Sequence, residues 1–345
     1  MTNDRALGAE VDALLAAGDR PAAWRALGSA GLFSALLQGD LLTGVKRWEV
    51  LGQSCGDLGF LFAANAHVWG GCFPLQAHAP AAVRDEWLPR LVSGEAIGAH
   101  AVSEPQAGSD VSAIETRWDD GRLTGTKVWI TNGPEADLVV VYARDDAGLG
   151  GFFVPSPAEG LVSTEQKKMG LHGALMGRMD LDGVAAPESM RLGTPGSGMA
   201  LFKSCLEWER ACILAAFVGA MQRQLDAAVR HARSRKQFGQ RIGAFQAVSH
   251  RIVDMKVRVE TSRLMLYRAV TARAAGRAPV ESAEAKLHIA EAFLTNSIDA
   301  LRTVGAAGYL AGTVTADDVQ AALGAPLFSG TSDLQREIVR RMLGL

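Results

Sequence analysis

Strand-like segments are confined to one stretch of this chain, residues 98 to about 190, with helical patterning on both sides of it. That order limits the possible folds more than any other feature. GRLTGTKVWITNG and ADLVVVYAR alternate or run apolar with β-branched residues between Gly, Asn and Asp, and GGFFVPS and GRMDLDGV continue the pattern. Segments of this kind bounded by turn residues read as short strands, here a small, mostly antiparallel β domain. Before it, LLTGVKRWEVLGQSC and AAVRDEWLPRLVSG have helical spacing, the second stopping at Gly94. After it, MALFKSCLEWERACILAAFVGAMQRQLDAAVRHARSR reads as one long helix interrupted only by Gly219, and two further long helices and a short closing one follow. Long helices with short links argue a bundle. The expected fold is mainly α with a middle β domain: an N-terminal helical domain (1–97), a small β barrel or sandwich (98–195) and a C-terminal four-helix bundle (196–345).

Several function classes lack support. The net charge is −2, which points to neither a nucleic-acid nor a membrane-surface partner. No apolar run approaches the roughly 20 residues of a membrane helix, and the first residues carry acids early rather than a basic-then-apolar signal pattern. Cys55, Cys72, Cys205 and Cys212 form no CxxC pair and read as core residues in a reducing cytoplasm. The seven histidines show no HxH or HExxH spacing, so no metal site is expected. No GxGxxG follows a strand, which leaves a nicotinamide site unsupported.

The most informative segment is AVSEPQAGSD, residues 101–110: a strand end entering a turn with Pro105, Gly108 and the hydroxyls of Ser103 and Ser109. Such a turn can offer backbone N–H groups and small hydroxyls to a flat polar ring. The segment resembles the TEPxAGSD signature of acyl-CoA dehydrogenases. The resemblance continues in family order through KVWITN (127–132), RKQFGQRIGAFQ (235–246), GAAGYL (305–310) and GTSDLQR (330–336). It implies an acyl-CoA dehydrogenase-like fold with FAD between the β domain and the bundle. On this likeness Val102, Ser103, Gly108 and Ser109 line the flavin ring and substrate mouth, and Trp129 and Thr131 pack against the isoalloxazine. Arg235, Gln237 and Phe238 reach the adenosine-pyrophosphate half of FAD in a neighbouring subunit, and Thr331 and Asp333 contact FAD near the C-terminus. The residue types suit these roles: an Arg pairs with pyrophosphate and an aromatic ring walls a flavin.

The reaction that the family implies needs a carboxylate to remove the α-proton of a thioester while the β-hydride passes to the flavin. Most members place a Glu directly before the C-terminal GTS motif, after a Tyr. Here LFSGTSD puts Ser329 there and Phe328 in place of the Tyr, and a Ser cannot be that base. A minority carries the Glu before an Arg on the first bundle helix. CLEWER supplies Glu209 followed by Arg210, so Glu209 is the candidate base. Glu207 competes, but two helix positions lie about 200° apart, so only one of them faces the flavin. The Ser329 backbone N–H is expected to hold the thioester oxygen. Ser109, Arg210, Phe328 and Ser329 are the candidate substrate contacts.

The Ser before GTS and a shortened front resemble the dehydrogenases of polyketide and peptide antibiotic pathways, with the methoxymalonyl-ACP extender-unit enzymes as the nearest likeness. The implied protein is a cytoplasmic homodimer or homotetramer. It acts on a short acyl thioester on CoA or an acyl carrier protein and passes electrons to an acceptor such as an electron-transfer flavoprotein. The alternatives are a flavin oxidase or monooxygenase of the same fold, and a non-catalytic member.

Overall fold

The computed structural model describes residues 2–277 and 280–345. The chain opens with helices α1 (Thr2–Ala16), α2 (Arg20–Ser29), α3 (Leu32–Ala35), α4 (Leu41–Ser54) and α5 (Leu58–His67). A π-helical turn (Val68–Cys72) leads into α6 (Phe73–His78) and α7 (Ala81–Ser93). Asp19, Asp40 and Asp57 cap α2, α4 and α5, each accepting a backbone N–H three residues on. Gly94, at φ 77°, ends α7 in the left-handed conformation that glycine adopts without a Cβ penalty.

Strands β1 (Gly98–Ala101), β2 (Arg117–Asp119), β3 (Arg122–Thr131), β4 (Leu138–Asp145), β5 (Gly148–Pro155), β6 (Leu161–Glu165), β7 (Met176–Ala185) and β8 (Arg191–Leu192) form one sheet in the order β6-β7-β3-β2-β4-β5-β8. β1 lies beside β4 off that path, and both β1 and β2 run parallel to β4 while the other pairings are antiparallel. Alternation along the strands separates two cores. Ala99, Leu123, Ile130, Val139, Val141, Met179 and Val184 share one cluster, so the sheet curls over its own interior. Val140, Tyr142 and Phe153 point the other way and pack with Leu75, Leu91 and Leu201 of the helices.

The remainder is α8 (Gly198–Cys212), α9 (Ala215–Ser234), a hairpin of β9 (Lys236–Gln237) and β10 (Gln240–Arg241), α10 (Gln246–Ala274), α11 (Val280–Val304), α12 (Val314–Gly324) and α13 (Ser332–Met342). The expected single helix over 199–235 is therefore two. It breaks at Ile213–Leu214, where Leu214 leaves helical geometry (φ −90°, ψ 9°) and both side chains are buried. Tertiary packing decides this break, because no Pro or Gly marks it. Gly219 is no break at all. It lies inside α9, and a Cβ there would sit 1.9 Å from the Glu49 carbonyl of α4. Gly52 of α4 faces Ala216 in the same way, also at 1.9 Å. The two glycines let α4 and α9 cross backbone to backbone, which welds the front helices to the bundle.

Buried polar groups join the strands to the helices. Gly98 N–H donates to His67 Nδ1 at 2.8 Å, so Nε2 carries the proton and donates to the Leu91 carbonyl at 3.1 Å. Burial lowers the His67 pKa to about 4, so the ring stays neutral. Arg20 of α2 grips Glu135 with two bonds, 2.7 and 2.5 Å, just before β4. No helix among the described residues is long and apolar enough to cross a membrane.

Gly219→Ala is expected to lower stability by about 1–3 kcal/mol, the ordinary cost of overpacking. Urea unfolding followed by circular dichroism measures it, and a loss below about 0.5 kcal/mol would show slack in the α4–α9 crossing.

Candidate active site

Helix α8 presents two carboxylates on nearly opposite faces. Glu207 turns into the bundle, where Arg273 of α10 lies 3.4 Å away with its guanidinium over the Trp208 ring. Glu209 turns toward the loop between α12 and α13 and accepts a hydrogen bond from the Ser329 hydroxyl. That loop is wound tightly: Ser329 sits at φ 53°, a left-handed conformation uncommon outside glycine, and Gly330 follows at φ 82°. Arg210 Nε donates to the Ser329 carbonyl at 3.3 Å, and Gln335 Nε2 to the Gly330 carbonyl at 2.9 Å. The structure thus brings Glu209, Arg210, Phe328 and Ser329 together. Burial raises the Glu209 pKa, and the Ser329 hydrogen bond and the charges of Arg210 and Lys286 oppose it. One turn back, burial pushes the Cys205 thiol up to about 12, with Glu209 contributing.

Aromatic rings close this end of the site. Phe328 packs 4.4 Å from Phe62 of α5 and 5.7 Å from Phe217 of α9, centroid to centroid. Trp208 stacks on Trp69 of the π-helical turn at 6.0 Å and 5°. Lys286 of α11, wholly buried, donates to the Ala325 carbonyl at 3.0 Å and lies 5.6 Å from the Phe328 ring centre. The sequence reading misses Lys286. Its signal is a lysine on the stripe Ala283, Lys286, Ala290, Phe293, all buried.

The second cluster lies where β1 exits and β3 ends. Lys127 of β3 is buried, pairs with Glu104 at 2.8 Å and donates to the Val102 carbonyl at 3.0 Å. Glu104 also accepts the backbone N–H groups of Glu115 and Thr116. Burial works against its charge, yet Lys127 and these donors bring its pKa down to about 2. Burial lowers Lys127 to about 8, against the pull of Glu104. The pair ties AVSEPQAGSD to KVWITN. Val128 N–H adds a bond to the Ser103 carbonyl at 2.9 Å.

Pairing between β3 and β7 slips between Lys127 and Ile130, and Trp129 at that bulge takes φ 59°. A bulge re-aims a side chain. Here it leaves the Trp129 ring 53% exposed, with Gly108 alongside: a Cβ on Gly108 would stand 4.0 Å from the ring. Asn132, at φ 64°, anchors the bulge by donating to the Ala63 carbonyl at 3.0 Å and the Gly98 carbonyl at 3.3 Å. An uncovered aromatic face on a rigid bulge, beside Gly108, the exposed Ser109 and the half-buried Ser103 and Thr131, fits one side of a flavin ring.

Of the other expected FAD residues, Arg235, Gln237 and Phe238 lie apart from the Glu209 cluster, while Thr331 and Asp333 follow directly on the loop that carries Ser329. Arg235, Gln237 and Phe238 occupy the exposed β9–β10 hairpin region at the far end of α9, with Phe238 93% exposed and at φ 50°. An exposed guanidinium and phenyl there suit a phosphate and a ring brought by another chain. Thr331 caps α13 by accepting the Leu334 N–H at 3.1 Å, and its own hydroxyl proton remains to donate. Asp333 is exposed and pairs with Arg336.

Known proteins resemble this chain over nearly its whole length. The family model for the acyl-CoA dehydrogenase middle domain matches residues 99–184, and that for the acyl-CoA dehydrogenase C-terminal domain matches 196–344. An L-prolyl-[peptidyl-carrier protein] dehydrogenase of Pseudomonas fluorescens is 40% identical over 342 residues, 93% of this chain and 90% of the relative. The crystal structure of the prolyl acyl carrier protein oxidase AnaB matches with a TM-score of 0.90 at 35% identity, covering 94% of this chain and 91% of that one. The structure of PigA with FAD and proline matches with a TM-score of 0.93 at 31% identity, covering 100% and 96%.

Lys127→Met strands a buried carboxylate and is expected to cost about 3–5 kcal/mol, with less lost in the double variant Glu104→Gln/Lys127→Met. Because Glu104 is held at about 2 against an ordinary 4.5, its contribution is complete above pH 4.5 and disappears as pH falls through about 2. Urea midpoints of Lys127→Met, Glu104→Gln and the double variant test the coupling, and a double-variant loss equal to the sum of the two single losses would show that the pair is not coupled.

Proposed function

The chain belongs to the acyl-CoA dehydrogenase family, and we propose that it oxidises a prolyl group held as a thioester on a carrier protein. At the family level it is an FAD-dependent acyl-thioester dehydrogenase. The observation that carries the substrate reading is the near full-length likeness to an L-prolyl-[peptidyl-carrier protein] dehydrogenase. The Phe62, Phe217 and Phe328 rings pack together next to Ser329, and in this reading they bound the acyl pocket and favour a short acyl group. The carrier-protein handle agrees with the antibiotic-pathway likeness of the sequence, with prolyl in place of an extender unit as the acyl group.

Glu209 is the base in this reading. Its carboxylate takes the acidic α-proton at one oxygen while the Ser329 hydroxyl orients the other. The Ser329 N–H is the donor we assign to the thioester oxygen, where negative charge grows as the proton leaves. Arg210 holds the loop in place through the Ser329 carbonyl. FAD, when bound, supplies the two-electron acceptor for the β-hydride. Val102, Ser103, Gly108, Ser109, Trp129, Thr131, Thr331 and Asp333 are the residues assigned to hold it, with Arg235, Gln237 and Phe238 reaching the FAD of a second copy in a homodimer or homotetramer. We divide the chain into domains at 97/98 and 195/196. We place it in the cytoplasm, where its four free, buried cysteines suit a reducing compartment.

The electron acceptor has two readings. An electron-transfer flavoprotein is the first. Oxygen is the second, favoured by the likeness to AnaB, an oxidase. Stopped-flow mixing of the reduced enzyme with oxygen separates them: fast reoxidation selects the oxidase.

The function is tested by anaerobic bleaching of the bound flavin. Prolyl-carrier protein is expected to bleach it, while Glu209→Gln retains FAD and slows bleaching by about 10²–10⁴. Bleaching by butyryl-CoA and not by prolyl-carrier protein would overturn the substrate. An unchanged rate in Glu209→Gln would overturn the base.

A further inference from the structure

We propose that Lys286 is a positioning residue for the base: it fixes the Ala325–Gly330 loop that delivers Ser329 to Glu209 and adds a second positive charge to the surroundings of that carboxylate. The inference rests on Glu209 being the base.

The starting point is a cost. Lys286 is wholly buried on the interior stripe of α11, and a buried ammonium is strongly disfavoured without compensation. Among the described residues no carboxylate stands within ion-pair distance of it. Its direct partner is the Ala325 carbonyl at 3.0 Å, and the Phe328 ring lies against its charge at 5.6 Å. Both belong to the loop that carries Ser329. A cation that clamps one end of a short loop and underlies its aromatic residue controls where the next residue points. That residue is Ser329, at φ 53°, hydrogen-bonded to Glu209. Arg210 and Gln335 grip the same loop further along, at the Ser329 and Gly330 carbonyls.

The charge acts as well as the clamp. Burial and the Arg210 charge lower Lys286 to about 8 and Glu209 counters part of that, and a pairwise interaction is mutual, so Lys286 favours the ionised form of Glu209. The charged and titratable groups around the base can be named element by element. On α8 they are Arg210 and the neutral thiol of Cys205, while Glu207 is drawn away by Arg273 of α10. On α11 they are Lys286 and, further off, Glu291. The 325–330 loop contributes the Ser329 hydroxyl and α13 the neutral Gln335 amide. On the strand side, Tyr142 of β4 faces Cys205, with the neutral, buried His100 beside it. One carboxylate therefore feels two positive charges, Arg210 next to it on α8 and Lys286 from beyond ion-pair distance on α11. Burial moves Glu209 toward the neutral acid, which cannot take a proton, and Arg210 and Lys286 move it back. A lysine held near 8 keeps most of its charge at pH 7, where the base must be ionised.

The sign of the effect follows. Removing the Lys286 charge moves Glu209 ionisation to higher pH, so the rate of α-proton removal falls on the acidic limb and recovers as pH rises. Loss of the clamp alone would lower the rate equally at every pH.

The test uses FAD-loaded Lys286→Met, Lys286→Gln and Lys286→Arg. Gln keeps a donor for the Ala325 carbonyl without the charge, and serves if Met fails to fold. Two readouts are taken: the pH profile of anaerobic flavin bleaching, and the infrared carboxyl band of the substrate-free protein titrated against Glu209→Gln as reference. The neutral variants are expected to shift the band's titration and the acidic limb upward, with bleaching on that limb about tenfold slower, and Arg is expected to restore both. A band, limb and bleaching rate that match the unaltered protein in both Lys286→Gln and Lys286→Met would overturn the proposal while leaving the base assignment intact. If Glu209→Gln itself bleached normally, the base assignment would fall, and the inference with it.

Discussion

A carboxylate largely withdrawn from water must find compensation, and much of the candidate site is arranged around that requirement. Glu209 is supported from three directions: the Ser329 hydroxyl from the loop, Arg210 from its own helix and Lys286 from α11. Each supporter is anchored in turn. Arg210 binds the Ser329 carbonyl, Lys286 the Ala325 carbonyl and Gln335 the Gly330 carbonyl, so one short loop is held at three points. The raised pKa that suits a proton-abstracting group comes from the same burial.

The strand side uses the opposite balance. Glu104 and Lys127 are more deeply buried than Glu209, but they meet at 2.8 Å, and backbone N–H groups complete the carboxylate's shell. Glu104 is held to about 2 where Glu209 is pushed upward, and the difference is the number and closeness of donors. The first arrangement makes a fixed strut and the second a titratable group. The strut has a task, since it locks the exit of β1 to β3 immediately before the bulge that turns Trp129 outward.

These two regions belong to different layers of the fold, and the junction between layers decides whether they can serve one reaction. His67 and Asn132 bond across from the front helices to the strands, and Gly52 and Gly219 let α4 meet α9 at backbone distance. An acyl-CoA dehydrogenase whose relatives act on prolyl carrier proteins needs such a frame. A prolyl group offers little surface to hold, so for such a substrate position rather than a long contact surface must provide most of the orientation.

The sequence alone determined the helix–strand–helix order, the family, FAD as cofactor and the choice of Glu209 as candidate base, because period, turn residues and motif order are local properties of the chain. It also carried a mark of Lys286, a charge on the apolar stripe of α11, although no partner could be read from it. The rest is decided only where distant segments meet. The helix break at Ile213–Leu214 follows buried packing without a Pro or Gly to announce it. Gly219 reads as a weak point in a helix and turns out to be a contact, because its meaning depends on the Glu49 carbonyl, 170 residues earlier. The roles of Glu207 and Glu209 separate because one meets Arg273 and the other Ser329. The Ser that replaces the usual base becomes the hydrogen-bond donor to Glu209, and only the tertiary fold, bringing residue 329 to residue 209, could make it so.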